Sequence, residues 1–321
     1  MRLLAILVFL TATPGLAQTL SASGQRAYED YKALAPQKAF AVGADGSGYT
    51  WAGSSGADPA RPVEQAMSNC ENRTKGKCML YAVNNIELAG RDWRSAAPPA
   101  GPAIGRLRSQ PYWQTKGPQA VEGLMVWSHG YRAGHDATSG AAQPHTGRFS
   151  LYDFYRFDSE WIRDWPGDAT ALAEAVRQAK AMGYKRVVLT GQSAGGWVSL
   201  AATMRGAPVD GVIAVASAHH GETKDMRDVT LARSEWQQIV KGIKSGPRLV
   251  VVNFADDTYD VGGRMDDAKA AFAANGVAAI VIAEPAGFKG HGAGNSFDFN
   301  RKFGACMKAF VDTGARQAPC I

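Results

Sequence analysis

Arg186-Val187-Val188-Leu189-Thr190-Gly191-Gln192-Ser193-Ala194-Gly195-Gly196 is where a strand pattern gives way to a glycine turn and then to a helix pattern. The apolar, β-branched run over 186–190 predicts a buried strand. A helix is expected from about 195 to 204, so the turn between them is sharp, with Ser193 at its apex. Such a turn lifts the serine hydroxyl above the sheet. Glycines on either side leave room for a strained backbone and for close neighbouring elements. The helix N-terminus that follows favours developing negative charge. A Gly-x-Ser-x-Gly string alone also describes an ordinary glycine turn. The strand before it and the helix after it mark Ser193 as a candidate nucleophile.

The same alternation runs from about residue 118 onward. Strands are predicted over 123–127, 152–157, 211–215, 248–253 and 278–282. Leu172, Ala175, Val176 and Ala179 have helical spacing within 168–182, and further helices are expected over 231–243, 265–274 and 296–311. Nearly continuous Val/Ile/Leu strands between helices predict an α/β fold with a mostly parallel sheet covered on both faces.

A serine hydroxyl needs a base to take its proton, and the base needs a carboxylate to orient it. His291 sits in Gly287-Phe288-Lys289-Gly290-His291-Gly292-Ala293-Gly294, just beyond the last strand. The alternative for it is a solvated loop histidine. Asp256 and Asp257 follow the strand over 248–253, with Asp260 close by. Both Asp256 and Asp257 are candidates for the acid. Adjacent residues cannot both point at one imidazole. Trp127-Ser128-His129-Gly130-Tyr131 ends an early strand with a His-Gly pair.

In element order, serine elbow, His-Gly loop, acid position and late histidine, residues from about 118 to 314 resemble the α/β-hydrolase superfamily. The resemblance implies the α/β-hydrolase fold and the chain order Ser193, Asp256, His291 for nucleophile, acid and base. Counted from Pro247, it implies Asp256 as the acid, with Asp257 the close second. It also implies an oxyanion hole made by the backbone N–H groups of Ala194 and Tyr131, with His129 shaping the loop. The implied activity is that of a serine hydrolase, with carboxylic ester hydrolysis through an acyl-serine intermediate as the first expectation. A peptidase or amidase using the same residues, and a non-catalytic cell-envelope binding protein that kept the fold, are the alternatives. A serine nucleophile argues against dehalogenases, which use Asp. No cofactor or metal is expected.

Other residues carry weaker signals. Ala218-His219-His220-Gly221 reads as a turn with exposed histidines in preference to a pocket wall. His135 and His145 lie in a long Gly-rich connection over 132–148, a length at which lids and binding loops occur. Trp161 and Trp165 either form a hydrophobic wall or pack.

The N-terminal part differs in character. Arg2, the apolar run over 3–10 and the small residues up to Ala17 read as a signal peptide over 1–17. Residues 18–95 read as a small α+β domain with short strands near 40–42, 49–52 and 78–83 and a helix over 60–72. This part weakly resembles a small cysteine-paired exported domain. A Pro/Ala-rich linker is expected over 96–117, before a catalytic domain over 118–321. Four cysteines, Cys70, Cys78, Cys306 and Cys320, suggest two disulfides in an exported chain. Three pairings are formally possible, and Cys70–Cys78 with Cys306–Cys320 is favoured because each pair is close in sequence. The formal charge of +6 is spread without a basic run, so nothing points to nucleic acid. The expected partner is a small-molecule, lipid or polysaccharide ester substrate. The expected location is periplasmic or secreted, with no membrane-spanning segment after signal removal.

Overall fold

The computed structural model describes residues 19–34, 37–44, 46, 48–53, 59–96, 101–109, 115–131, 142–157 and 164–321. The signal segment over 1–17, His135 and Trp161 lie outside the described residues.

Two sheets are present among the described residues. The smaller is antiparallel, in the order β2-β1-β3-β4, from β1 (Lys38–Gly43), β2 (Tyr49–Gly53), β3 (Cys78–Val83) and β4 (Ile86–Glu87). The larger contains β5 (Leu107–Ser109), β6 (Gly123–Ser128), β7 (Tyr152–Phe157), β8 (Val187–Gln192), β9 (Gly211–Val215), β10 (Arg248–Asn253) and β11 (Ala279–Ala283). Its order is β11-β10-β9-β8-β6-β7-β5, and every pairing is parallel except β5 on β7.

Period-two alternation divides the core. Leu124, Val126, Val187, Leu189, Val212, Ala214, Leu249 and Val251 join one apolar cluster. Their neighbours Met125, Trp127, Val188, Ile213, Val215, Val250 and Val252 join another on the opposite face. Both faces are therefore covered, as a parallel sheet requires. The helix Ala194–Met204 is buried over 194–203, and its Gly195, Gly196, Ala201 and Ala202 let it lie close to the sheet. This is an α/β-hydrolase architecture with a small antiparallel sheet before it.

Element ends differ from the sequence expectation where side chains intervene. The helix Trp165–Ala181 starts before 168, because Asp164 accepts from Gly167 N (3.1 Å) and Pro166 suits the first turn. The closing helix is interrupted by a π segment, Asn300–Gly304. There the Arg148 guanidinium donates to Asn300 Oδ1 and Asn300 O (3.0 and 3.2 Å), and a group inserted into the ladder widens the turn. The expected linker over 96–117 contains β5, so the main sheet begins inside it. Three residues at a sheet edge are too short a run for alternation to reveal.

The cysteines pair as favoured, Cys70 with Cys78 and Cys306 with Cys320, at Cα separations of 6.1 and 5.9 Å. The N-terminal part docks on the main unit through backbone. Asn300 Nδ2 donates to Ala33 O (3.1 Å), and a Cβ on Gly147 would meet Leu34 O at 2.1 Å. No helix among the described residues is long and apolar enough to cross a membrane.

Candidate active site

Strand β8 runs through Gly191 and Gln192 and turns at Ser193, whose φ of 56° and ψ of −124° are strained for a non-glycine residue. The strain is held from both sides. Ser193 N donates to Val215 O (3.0 Å), while Ser193 O accepts from Trp197 N and Ala218 N (3.1 Å each). The flanking glycines are sterically required. A Cβ on Gly191 would meet the Gly195 backbone at 2.3 Å, and one on Gly195 would meet Ser128 O at 1.9 Å. The turn at Ser193 is thus locked against the end of β6.

That contact also brings the His-Gly loop to Ser193. A Cβ on Gly130 would lie 2.8 Å from Gln192 Oε1 and 3.2 Å from Ser193 Cβ. His129, nearly buried, donates from Nδ1 to Gly130 O (2.6 Å), which braces the loop. Tyr131 is 59% exposed, and with Ala194 it borders the same cavity as Ser193.

His291 reaches that cavity from the loop after β11. The loop is pinned to the end of β10, where Gly290 N donates to Ala255 O (2.7 Å) and Ala255 forms a parallel bridge with Lys289. Gln192 Nε2 donates to His291 O (3.3 Å), tying this loop to the elbow. His291 Nδ1 lies 2.9 and 3.1 Å from the two oxygens of Asp257, whose side chain is fully buried and also accepts from Tyr259 N (2.9 Å). Nδ1 is the donor in this contact, because the carboxylate only accepts. Among the described residues, no hydrogen bond joins Ser193 Oγ to the ring. Such bonds often tighten only around substrate.

The acid expectation needs correction. Asp256, preferred by position, points into solvent and pairs with exposed Lys289 (2.9 Å). The reason is backbone. Asp256 takes a left-handed φ of 58°, which Asp tolerates better than most residues, so the chain turns there and Asp257 faces inward.

The cavity has a volume of about 1080 Å³. His219 and His220 line it, against the reading of an exposed turn. His220 Nε2 donates to Glu235 Oε2 (2.7 Å), and the same oxygen accepts from Trp165 Nε1 (3.1 Å). Glu222, Asp225 and Tyr259 also border the space. The His219-His220 pair after β9 was the visible signal for this wall. Glu235, inside the helix Val229–Gly242, gave none. His145 is not a cavity residue. It is buried against Thr190 Oγ1 (2.7 Å), and burial pushes its pKa down to about 3. Among the described residues, no group of three or more His, Cys, Asp or Glu side chains is arranged to hold a metal ion.

Strand order, elbow and late-histidine loop together define a protein of the α/β-hydrolase architecture. Several solved structures are similar in fold. A truncated carbohydrate esterase from gut microbiota is 14% identical, with 64% of this chain and 91% of that one covered and a TM-score of 0.48. A puromycin-hydrolysing peptidase of Mycobacterium tuberculosis is 14% identical, covering 74% and 43% with a TM-score of 0.49. An acylaminoacyl peptidase of Pyrococcus horikoshii is 12% identical, covering 66% and 39% with a TM-score of 0.49. The chain spans less than half the length of those two peptidases. No protein-family model and no curated protein matches the sequence.

Proposed function

We propose that this chain is an exported serine hydrolase that cleaves carboxylic esters through an acyl-serine intermediate. Ser193 Oγ attacks the carbonyl carbon while His291 Nε2 takes its proton. Asp257 holds the ring and stabilises the imidazolium. The backbone N–H groups of Ala194 and Tyr131 serve the oxyanion. His291 then gives its proton to the departing alcohol. A water, deprotonated by the same ring, releases the acid and regenerates Ser193. The observation that carries this reading is the His291–Asp257 pair opening on the same cavity as a serine at a strained strand-to-helix turn.

Export is supported by the charged, apolar and small-residue order over 1–17 and by two disulfides, which persist in oxidising compartments. The antiparallel unit over 18–95 is proposed as a domain distinct from the catalytic one.

A fluorophosphonate probe tests the nucleophile. Wild-type protein should be labelled at Ser193, and S193A should not. Folded wild-type protein that resists the probe would overturn the reading. A panel of nitrophenyl esters and aminoacyl amides of matched acyl groups then separates esterase from amidase. Faster amide turnover would reverse the preference proposed here.

A further inference from the structure

We propose that the alcohol portion of the substrate is polyhydroxylated, a sugar or polyol ester, and that His220, fixed by Glu235, is a specificity-determining residue that accepts a hydrogen bond from one of its hydroxyls. This rests on the serine-hydrolase reading above.

The side of the cavity that receives the alcohol is set by His291, since that ring must protonate the leaving oxygen. Next to it stands Tyr259, with ring centroids 4.1 Å apart, and the Tyr259 hydroxyl donates to Glu222 Oε1 (3.4 Å). Two residues before Glu222 comes His220, hydrogen-bonded to Glu235. The wall therefore continues from the proton donor through Tyr259 and Glu222 to the His220–Glu235 pair.

This wall is rich in acceptors. The residues bordering the cavity include Glu222, Asp225 and Glu235, and no Lys or Arg is among the described ones. A carboxylate or phosphate on the alcohol would meet no counter-ion and several like charges, which is unfavourable. An acceptor-rich wall instead selects a ligand that brings donors.

Two observations favour hydroxyls over an ammonium group. First, two of the three carboxylates, Glu235 and Glu222, are already engaged. Glu235 accepts from both Trp165 and His220, and Glu222 accepts from Tyr259 and pairs with Lys224 (3.0 Å). Second, the unspent acceptor is a ring nitrogen and not a carboxylate. Because Glu235 can only accept, Nε2 of His220 carries a hydrogen, which leaves Nδ1 as the ring's acceptor. Nδ1 makes no hydrogen bond among the described residues. Trp165, which also borders the cavity, is held by the same Glu235 oxygen as His220.

The test compares acetate esters whose alcohols are of similar size. Wild-type kcat/KM for 6-O-acetylglucose should exceed that for hexyl acetate and for acetylcholine by at least about tenfold, the ratio that one well-placed hydrogen bond supplies. In H220F, which keeps a ring and removes the acceptor, the ratio of sugar to hexyl ester should fall about tenfold, and E235Q should lower it less. A wild-type preference for hexyl acetate, or for acetylcholine, would overturn the proposal without any variant. So would an unchanged ratio in H220F that still takes the fluorophosphonate label. Failure of wild-type Ser193 to take the label would instead overturn the serine-hydrolase reading itself.

Discussion

Lys38 and Ser193 are both buried polar residues, one in each sheet's neighbourhood, and they are treated in opposite ways. Lys38, on β1, is fully buried, and its ammonium donates to the carbonyls of Tyr31, Lys32 and Leu34 (3.0, 2.9 and 2.8 Å). These lie at the C-terminal end of the helix Ala22–Lys32, where carbonyls run out of intrahelical donors. Every donor is used, and the residue ties a helix end to a sheet. Ser193 is nearly as buried, yet its hydroxyl has no hydrogen-bond partner among the described residues and its backbone is strained. Saturated polar groups build the frame. Unsatisfied ones, held in a costly conformation by that frame, are available for chemistry.

The contrast breaks first at the nucleophile. S193A and H291A should each lower kcat by about 10⁴-fold or more in ester hydrolysis. Thermal unfolding should show S193A no less stable than wild type. Activity within tenfold of wild type in S193A would end the assignment.

Within the site, neighbouring aspartates should diverge. D257N leaves the ring contact in place but favours the wrong tautomer, so kcat should drop by about 10³–10⁴-fold. D256N removes only an exposed pair with Lys289, which is worth little, and should change kcat by less than about twofold. Equal losses in the two variants would mean that the left-handed turn at Asp256 has been misjudged.

The frame side is tested by K38M. Three carbonyls at the helix end would lose the Lys38 ammonium, and stability by urea unfolding should fall by about 2–3 kcal/mol. Specific activity of the folded fraction should stay near wild type. A large loss of activity at full stability would make Lys38 part of the site and erase the distinction.

How much of this was legible in the sequence follows from how local each signal is. Val187-Val188-Leu189-Thr190 and the glycines around Ser193 encode strand, turn and helix within one stretch, so the elbow could be read. His291 was a candidate by order alone, since it follows the last strand. Asp256 and Asp257 could not be separated, because a single φ at Asp256 decides which side chain faces inward. Leu107–Ser109 looked like linker because its strand character comes wholly from β7. Glu235 was invisible. Its role exists only because the helix Val229–Gly242 packs beside the turn after β9, a contact between distant segments.

The smallest expected effect concerns His145, a buried titratable residue whose Nε2 is hydrogen-bonded to Thr190 Oγ1. Burial lowers its pKa to about 3, with the Arg148 charge adding to the shift. The folded state therefore keeps the ring neutral at pH values where the unfolded chain, near 6.5, takes up a proton. The unfolded state binds more protons, so stability rises with pH across this window. The full contribution is present above about pH 6.5 and is lost as pH falls toward 3, with a slope of at most about 1.4 kcal/mol per pH unit from this one group. Urea unfolding of wild type and H145N between pH 7 and pH 4 measures it. H145N loses packing against Thr190 and should start less stable, but its acid slope should be shallower than that of wild type. Parallel slopes would place the acid sensitivity elsewhere and show His145 to be charged, and partnered, in the folded protein.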